Sequence, residues 1–230
     1  MLTCDGLVLQ QGDFALRADV VFPSGNVTAL LGPSGAGKST LLAAIAGFLQ
    51  PVEGRVLWQD QDLTQAAPGA RPISMLFQDN NLFPHLTAAQ NVGLGLRADL
   101  KLSDAERAVL NAALADVGLD GFGGRKPSAL SGGQQSRVAL ARLLVSDRSV
   151  VLLDEPFAAL GPALKDEMLD LVKSKLGASG KTVVMVTHDP SDARRIADSA
   201  VLVADGVVTA PIQTDALLDN PPPALAAYLG

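Results

Sequence analysis

The sequence is short of the residues on which disulfide-stapled, metal-clustered and nucleic-acid-binding proteins are built. Its 230 residues hold one cysteine, one tryptophan, one tyrosine and two histidines. A lone Cys4 excludes an internal disulfide and a thiolate metal cluster, and it fits a reducing compartment. The formal net charge is −6 and no basic stripe offsets it, which argues against a general electrostatic grip on nucleic acid. Long apolar runs are also missing. Each apolar stretch is broken by Gly, Pro or a charge, so none is expected to span a bilayer. The opening "MLTCDGLVLQQGDF" has no basic segment followed by a long apolar one, so no signal peptide is expected. These absences together predict a soluble, cytoplasmic protein.

What is present is a globular pattern: 48% apolar residues, with 22 Gly and 14 Pro spread along the chain and no internal repeat. "VTALLG" (27–32) reads as a strand, followed by a glycine loop and a helix. "GRVLWQDQDL" (54–63) reads as a strand entering a turn, and "ISMLFQ" (73–78) as another strand. From 102 to 117 the pattern is helical, with Ser103 and Glu106 forming a capping pair and Val109, Leu110, Ala113, Leu114 and Val117 forming the apolar face. "SVVLLDEP" (149–156) and "TVVMVTH" (182–188) are continuous apolar runs, as expected of parallel strands covered on both faces. Helices are expected to start at Pro162 and, capped by Asp189, at Pro190. "AVLVADGVVT" reads as a hairpin around Asp205-Gly206. The alternation predicts an α/β fold with a mainly parallel sheet and an N-terminal antiparallel β part. A helical subdomain, 79–148 including the loop discussed below, is expected between core segments 1–78 and 149–230.

"GPSGAGKST" (32–40) matches a phosphate loop in register. Gly32, Gly35 and Gly37 let the backbone wrap phosphates closely, with Pro33, Ser34 and Ala36 between them and Thr40 just behind. Lys38 reaches the β/γ-phosphates and the Ser39 hydroxyl ligates Mg²⁺. Asp154 and Glu155 end the strand "VVLLDE". Asp154 can hold Mg²⁺ through water and Glu155 can polarise an attacking water. No site for a second substrate accompanies them, so the implied reaction is hydrolysis of the bound nucleotide in a P-loop NTPase core. A second anion cradle opens the helix after "LSGGQ" (130–134), where Ser131, Gly132, Gly133 and Gln134 expose unpaired N–H groups.

"LSGGQ" is the signature of ATP-binding cassette proteins, and the chain resembles that family along nearly its whole length. The resemblance explains the two cradles. In the family, the signature of one subunit closes over the γ-phosphate held by the phosphate loop of another, which implies a head-to-tail homodimer. It also implies that Gln78 is the lid glutamine touching Mg²⁺ and water, and that His188 contacts the γ-phosphate. His85, in "LFPHLT", reads as a loop residue with no catalytic part. "DNNLFPHLTAAQNVGLGL" and "GPSGAGKSTLLAAIAGF" resemble the ATPases of thiamine importers. That resemblance implies an integral membrane permease as partner, a periplasmic or extracellular solute-binding protein acting through it, and a peripheral place on the cytoplasmic face of the inner membrane.

Two positions depart from the family pattern. The stretch after the catalytic Glu usually reads Ser-Ala-Leu-Asp; here it is "AALG", so Gly161 supplies no carboxylate to couple the two sites, although Gly is tolerated as an N-cap. The aromatic expected to stack on adenine is also missing from its register. Phe14 is the nearby candidate, with Gln10 or Gln11 at that place, and packing of the first strands is the role expected of Phe14. The other readings are an importer ATPase for a polyamine, iron or an oxyanion, a soluble cassette protein acting on DNA or ribosomes, and a subunit that binds ATP but hydrolyses it poorly.

Overall fold

The computed structural model describes residues 1–158 and 160–229; of the "AALG" stretch, Ala159 lies outside the described residues. Strands β1 (Leu2–Gln11) and β2 (Phe14–Phe22) form an antiparallel hairpin, and β4 (Glu53–Trp58) pairs antiparallel on the other side of β1. A two-residue β5 (Gln61–Asp62) folds back on β4 through Gln59 and Asp60, both at positive φ. The second half of the sheet is parallel. Its strands are β3 (Val27–Leu31), β6 (Ile73–Leu76), β7 (Val150–Asp154), β8 (Thr182–Val186) and β9 (Ser199–Ala204), in the spatial order β9-β3-β8-β7-β6.

The short β10 (Val207–Val208) joins the halves, antiparallel to β9 and parallel to β2. It follows a tight turn at Asp205-Gly206, both at positive φ as that turn requires. A last short strand, β11 (Ile212–Gln213), pairs with β9.

The parallel strands β3, β7, β8 and β9 are buried on both faces, while the edge strand β6 is partly buried, and alternate residues enter two separate cores. Val183 and Met185 of β8 face one core, Val184 and Val186 the other; Val151 and Leu153 of β7 are likewise split from Val150 and Leu152. Helix α1 (Lys38–Ala46) fills the concave core between the parallel strands and the β1–β2 hairpin, where Leu41, Leu42 and Ile45 are fully buried. A helix apolar all round is stable only when enclosed in this way, and each such side chain contributes roughly 1.5–3 kcal/mol.

The other core is covered by α5 (Pro162–Leu171), α6 (Pro190–Ile196) and a helical group of α2 (Ala88–Gly93), α3 (Asp104–Asp116) and α4 (Gly132–Leu144). Two terminal helices, α7 (Thr214–Asp219) and α8 (Pro223–Leu229), close it.

The expected face of α3 needs one correction. Leu110, Ala113, Leu114 and Val117 are buried, but Val109 is 49% exposed. It sits on the flank of a stripe only one i, i+3, i+4, i+7 row wide, because α3 meets its neighbours along one seam. Among the described residues, no helix is long and apolar enough to cross a membrane.

Candidate nucleotide site

The loop between β3 and α1 owes its shape to two glycines. A Cβ on Gly32, at φ 145°, would stand 2.1 Å from the Val203 carbonyl oxygen of β9. Gly37, at φ 101°, is the N-cap of α1 and lies under the Phe14 ring, which a Cβ would meet at 2.6 Å. No side chain caps α1, so its first N–H groups stay open to an anion. The Lys38 ammonium donates to the Gly32 and Pro33 carbonyls at 2.7 and 2.9 Å, folded over the loop it belongs to. Burial lowers its pKa, while the Glu155 and Asp154 carboxylates act to raise it.

Parallel register brings the ends of β3 and β7 to the same edge of the sheet, and there Ser39 Oγ donates to Asp154 Oδ1 at 3.0 Å. Burial raises the Asp154 pKa, opposed by the Ser39 bond and Lys38 and reinforced by Glu155. A buried carboxylate beside a hydroxyl, short of compensating positive charge, is a donor set that suits Mg²⁺, which takes one or two carboxylates and completes its shell with phosphates and water.

Glu155 holds φ at 44°, a costly conformation for a non-glycine residue and one that clusters at functional sites. Its N–H donates to the Val186 carbonyl at 3.2 Å, which ties it to the end of β8. Beyond that end, His188 Nδ1 lies 3.4 Å from Glu155 Oε2. The loop carrying His188 is braced from behind. Lys165 of α5 pairs at 2.6 Å with both Asp189 and Asp192, and Thr187 Oγ1 donates to Asp192 at 2.8 Å. Burial acts to raise Asp189, but the Lys165 and Ser191 hydrogen bonds outweigh it and hold its pKa at about 2.

The cleft over Lys38 is also lined by Ser34, Ser39, Thr40, Glu155, Gln11 and Phe14. Phe14 packs on Gly37 and the concave core while its ring borders the cleft, and Gln11 stands beside it. Among the residues lining the cleft are neither Gln78 nor the signature residues, although β6 runs parallel to β7 and so ends at the same edge as Asp154. Gln78 is exposed, two residues beyond β6.

At the start of α4, Ser131 Oγ accepts the Gln134 N–H at 3.3 Å, while Gln134 Oε1 accepts the Ser131 N–H at 2.9 Å. This capping box occupies two of the donors expected to face an anion. Gly161 is the N-cap of α5, ahead of Pro162, with no side-chain hydrogen bond and open space where a side chain would stand.

Two residues not singled out in the sequence bear on the site. Arg142 of α4 donates to the Asn81 and Asn80 carbonyls at 3.0 Å each, which joins the signature helix to the loop after Gln78. Fully buried Asn91 bonds Phe83 on both its N–H and carbonyl and also reaches the Leu86 and Thr87 carbonyls, so it shapes the "LFPHLT" loop. In that loop His85 is exposed, edge-on to Phe83.

A family model described as ABC transporter matches residues 17–158. The chain belongs to the ABC transporter family. Among similar ABC proteins, the thiamine import ATP-binding protein ThiQ of Cereibacter sphaeroides is 59% identical over the full length of both chains. That of Ruegeria sp. is 57% identical, again over the whole of both. ThiQ of an Escherichia coli strain is 51% identical over 89% of this chain and 88% of its own. The dimeric structure of the ATP-binding cassette MJ0796 in a post-hydrolysis state, bound to ADP and Pi, superposes with a TM-score of 0.82. It is 30% identical and covers 93% of this chain and 99% of its own.

Proposed function

We propose that this chain is the ATP-hydrolysing subunit of a thiamine importer, working as a homodimer against an integral permease at the cytoplasmic face of the membrane, with a solute-binding protein delivering cargo outside. The observation that carries the reading is full-length similarity to two ThiQ proteins, 59% and 57% identical, in a chain whose own geometry gathers Lys38, Ser39, Asp154, Glu155 and His188 at one end of the sheet.

The open N-terminus of α1 and the Lys38 ammonium bind the β/γ-phosphates. Mg²⁺, when bound, supplies charge neutralisation there; Ser39 and Asp154 would hold it, with Gln78 joining on closure. Glu155 orients a water toward the γ-phosphate. Lys38, His188 and the partner's signature Ser131 stabilise the charge that develops. Because Arg142 ties α4 to the loop after Gln78, closure of the signature onto a neighbour's nucleotide moves that loop with it.

Beside the loop is a groove lined by Met75, Phe77, Phe83, Leu96 and Arg142; the ring of Phe48, itself 58% exposed, lies 5.5 Å from that of Phe77, and Val52 is 60% exposed. A permease's cytoplasmic helix would bury this apolar surface.

Labelled thiamine uptake in cells making this chain with its permease and binding protein tests the reading, beside cells carrying Glu155→Gln. The variant should lose uptake and slow hydrolysis by roughly 10²–10⁴-fold. Equal uptake in both, or none in either, would remove thiamine import and redirect the search to polyamines and oxyanions.

A further inference from the structure

Tyr228 is the chain's single tyrosine, and its hydroxyl donates to the His188 carbonyl at 2.7 Å across 40 residues of sequence. Helix α8 is seated for this contact by Leu225, which is fully buried, with Ala224 and Tyr228 packed against the same core. The His188 carbonyl and the Asp189 N–H belong to one planar peptide unit and point to opposite sides of the chain. The N–H donates to Thr187 Oγ1 at 3.1 Å, so the plane is held at both ends, by Thr187 on one side and by Tyr228 on the other. The Thr187 end is itself anchored through Asp192 to Lys165. Among the described residues, the other end is held by Tyr228 alone.

The His188 side chain is exposed, and among the described residues its ring meets no polar side chain except Glu155. Its aim therefore depends on the backbone beneath it. A peptide free to rotate at 188–189 would swing the imidazole off Glu155. Burial raises the Tyr228 pKa, and the nearby Glu155 and Asp189 carboxylates raise it further, so the phenol stays a donor.

We propose that Tyr228 is a positioning residue for His188: the C-terminal helix clamps the peptide that carries the imidazole and so makes the tail part of the hydrolytic site. This rests on the hydrolytic reading of His188 given above.

Tyr228→Phe in the full-length chain keeps the ring and removes only the hydroxyl. We expect kcat for ATP hydrolysis to fall about three- to tenfold with KM for ATP unchanged, the effect of one hydrogen bond. The ring-proton NMR resonance of His188 should shift or broaden while that of His85, the other histidine, stays in place. An unchanged kcat, or an unmoved His188 resonance, overturns the proposal. So does a lowered thermal midpoint with both histidine resonances displaced, which marks a general structural role. If His188→Ala hydrolyses ATP at the wild-type rate, the reading of His188 fails and the proposal with it. The His188 resonance in Tyr228→Phe then still tells whether the clamp exists, which separates the two failures.

Discussion

Helix α1 begins at Gly37 in a left-handed conformation with no side-chain cap, whereas α4 begins at Ser131, whose side chain and that of Gln134 close a reciprocal capping box. Both starts follow glycine-rich sequence and both present helix N–H groups. They differ in what surrounds them. The start of α1 is gripped by the protein: Gly32 lies against β9, Gly37 lies under Phe14, and the rest of the helix packs between the two halves of the sheet. Its geometry is complete before any phosphate arrives, and its open donors are the binding energy held in reserve. The start of α4 is exposed, with open space above Gly132, and satisfies two of its own donors, the Ser131 and Gln134 N–H groups. In the proposed function such a site exchanges its internal hydrogen bonds for those of an incoming anion at a modest net cost, as a surface that engages and releases in each cycle requires. On that reading a permanent cradle and a reversible one are distinguishable by their caps.

That contrast can be broken at four points. The largest effect is expected for Lys38→Ala, which removes the charged donor of the permanent cradle. Hydrolysis should fall roughly 10²–10³-fold, and calorimetry should find ATP binding weakened in step. Next is Gly37→Ala. It forces a Cβ into the Phe14 ring at a positive φ and should cost about 1–3 kcal/mol in denaturant unfolding; an unchanged midpoint would show that the loop is not gripped.

Ser131→Ala removes half of the capping box and should lower stability by about 1 kcal/mol. It should leave ATP binding to the isolated chain intact, which a titration with a fluorescent ATP analogue would check. The smallest effect is expected for Gly161→Asp. The position already has the backbone of an N-cap and room for a side chain, so the change should add a few tenths of a kcal/mol. A large loss of thermal stability there would contradict the open space.

Much of this contrast can be read along the chain, because it is local. Gly-rich spacing before Lys38 and Ser39, the apolar run ending in Asp154, and the spacing of Ser103 to Glu106 each specify a loop or a cap within a few residues. Parallel pairing then brings strand ends to one edge, which is why Ser39 and Asp154 meet although 115 positions apart. What could not be read is carried by long side chains acting at a distance.

Arg71 is fully buried, against the usual habit of arginine. It donates to the Ala44, Ile45, Thr64 and Ala66 carbonyls and so anchors the C-terminal end of α1. Its partners are main-chain oxygens, which every residue has, so no sequence pattern marks them. The same is true of Arg142 on Asn80 and Asn81, and of Tyr228 on His188. The Ser131–Gln134 box was legible in principle as Ser-x-x-Gln, but that spacing reads equally well as an open anion cradle. Only the side-chain geometry separates the two.

In the proposed function, the cradle of one chain and the signature of another share one nucleotide. Sedimentation of Glu155→Gln in MgATP tests it most directly. The account predicts a dimer that forms with ATP and is lost when either Lys38→Ala or Ser131→Arg is added. A chain that stays monomeric in MgATP, or a dimer that survives Ser131→Arg, would contradict it.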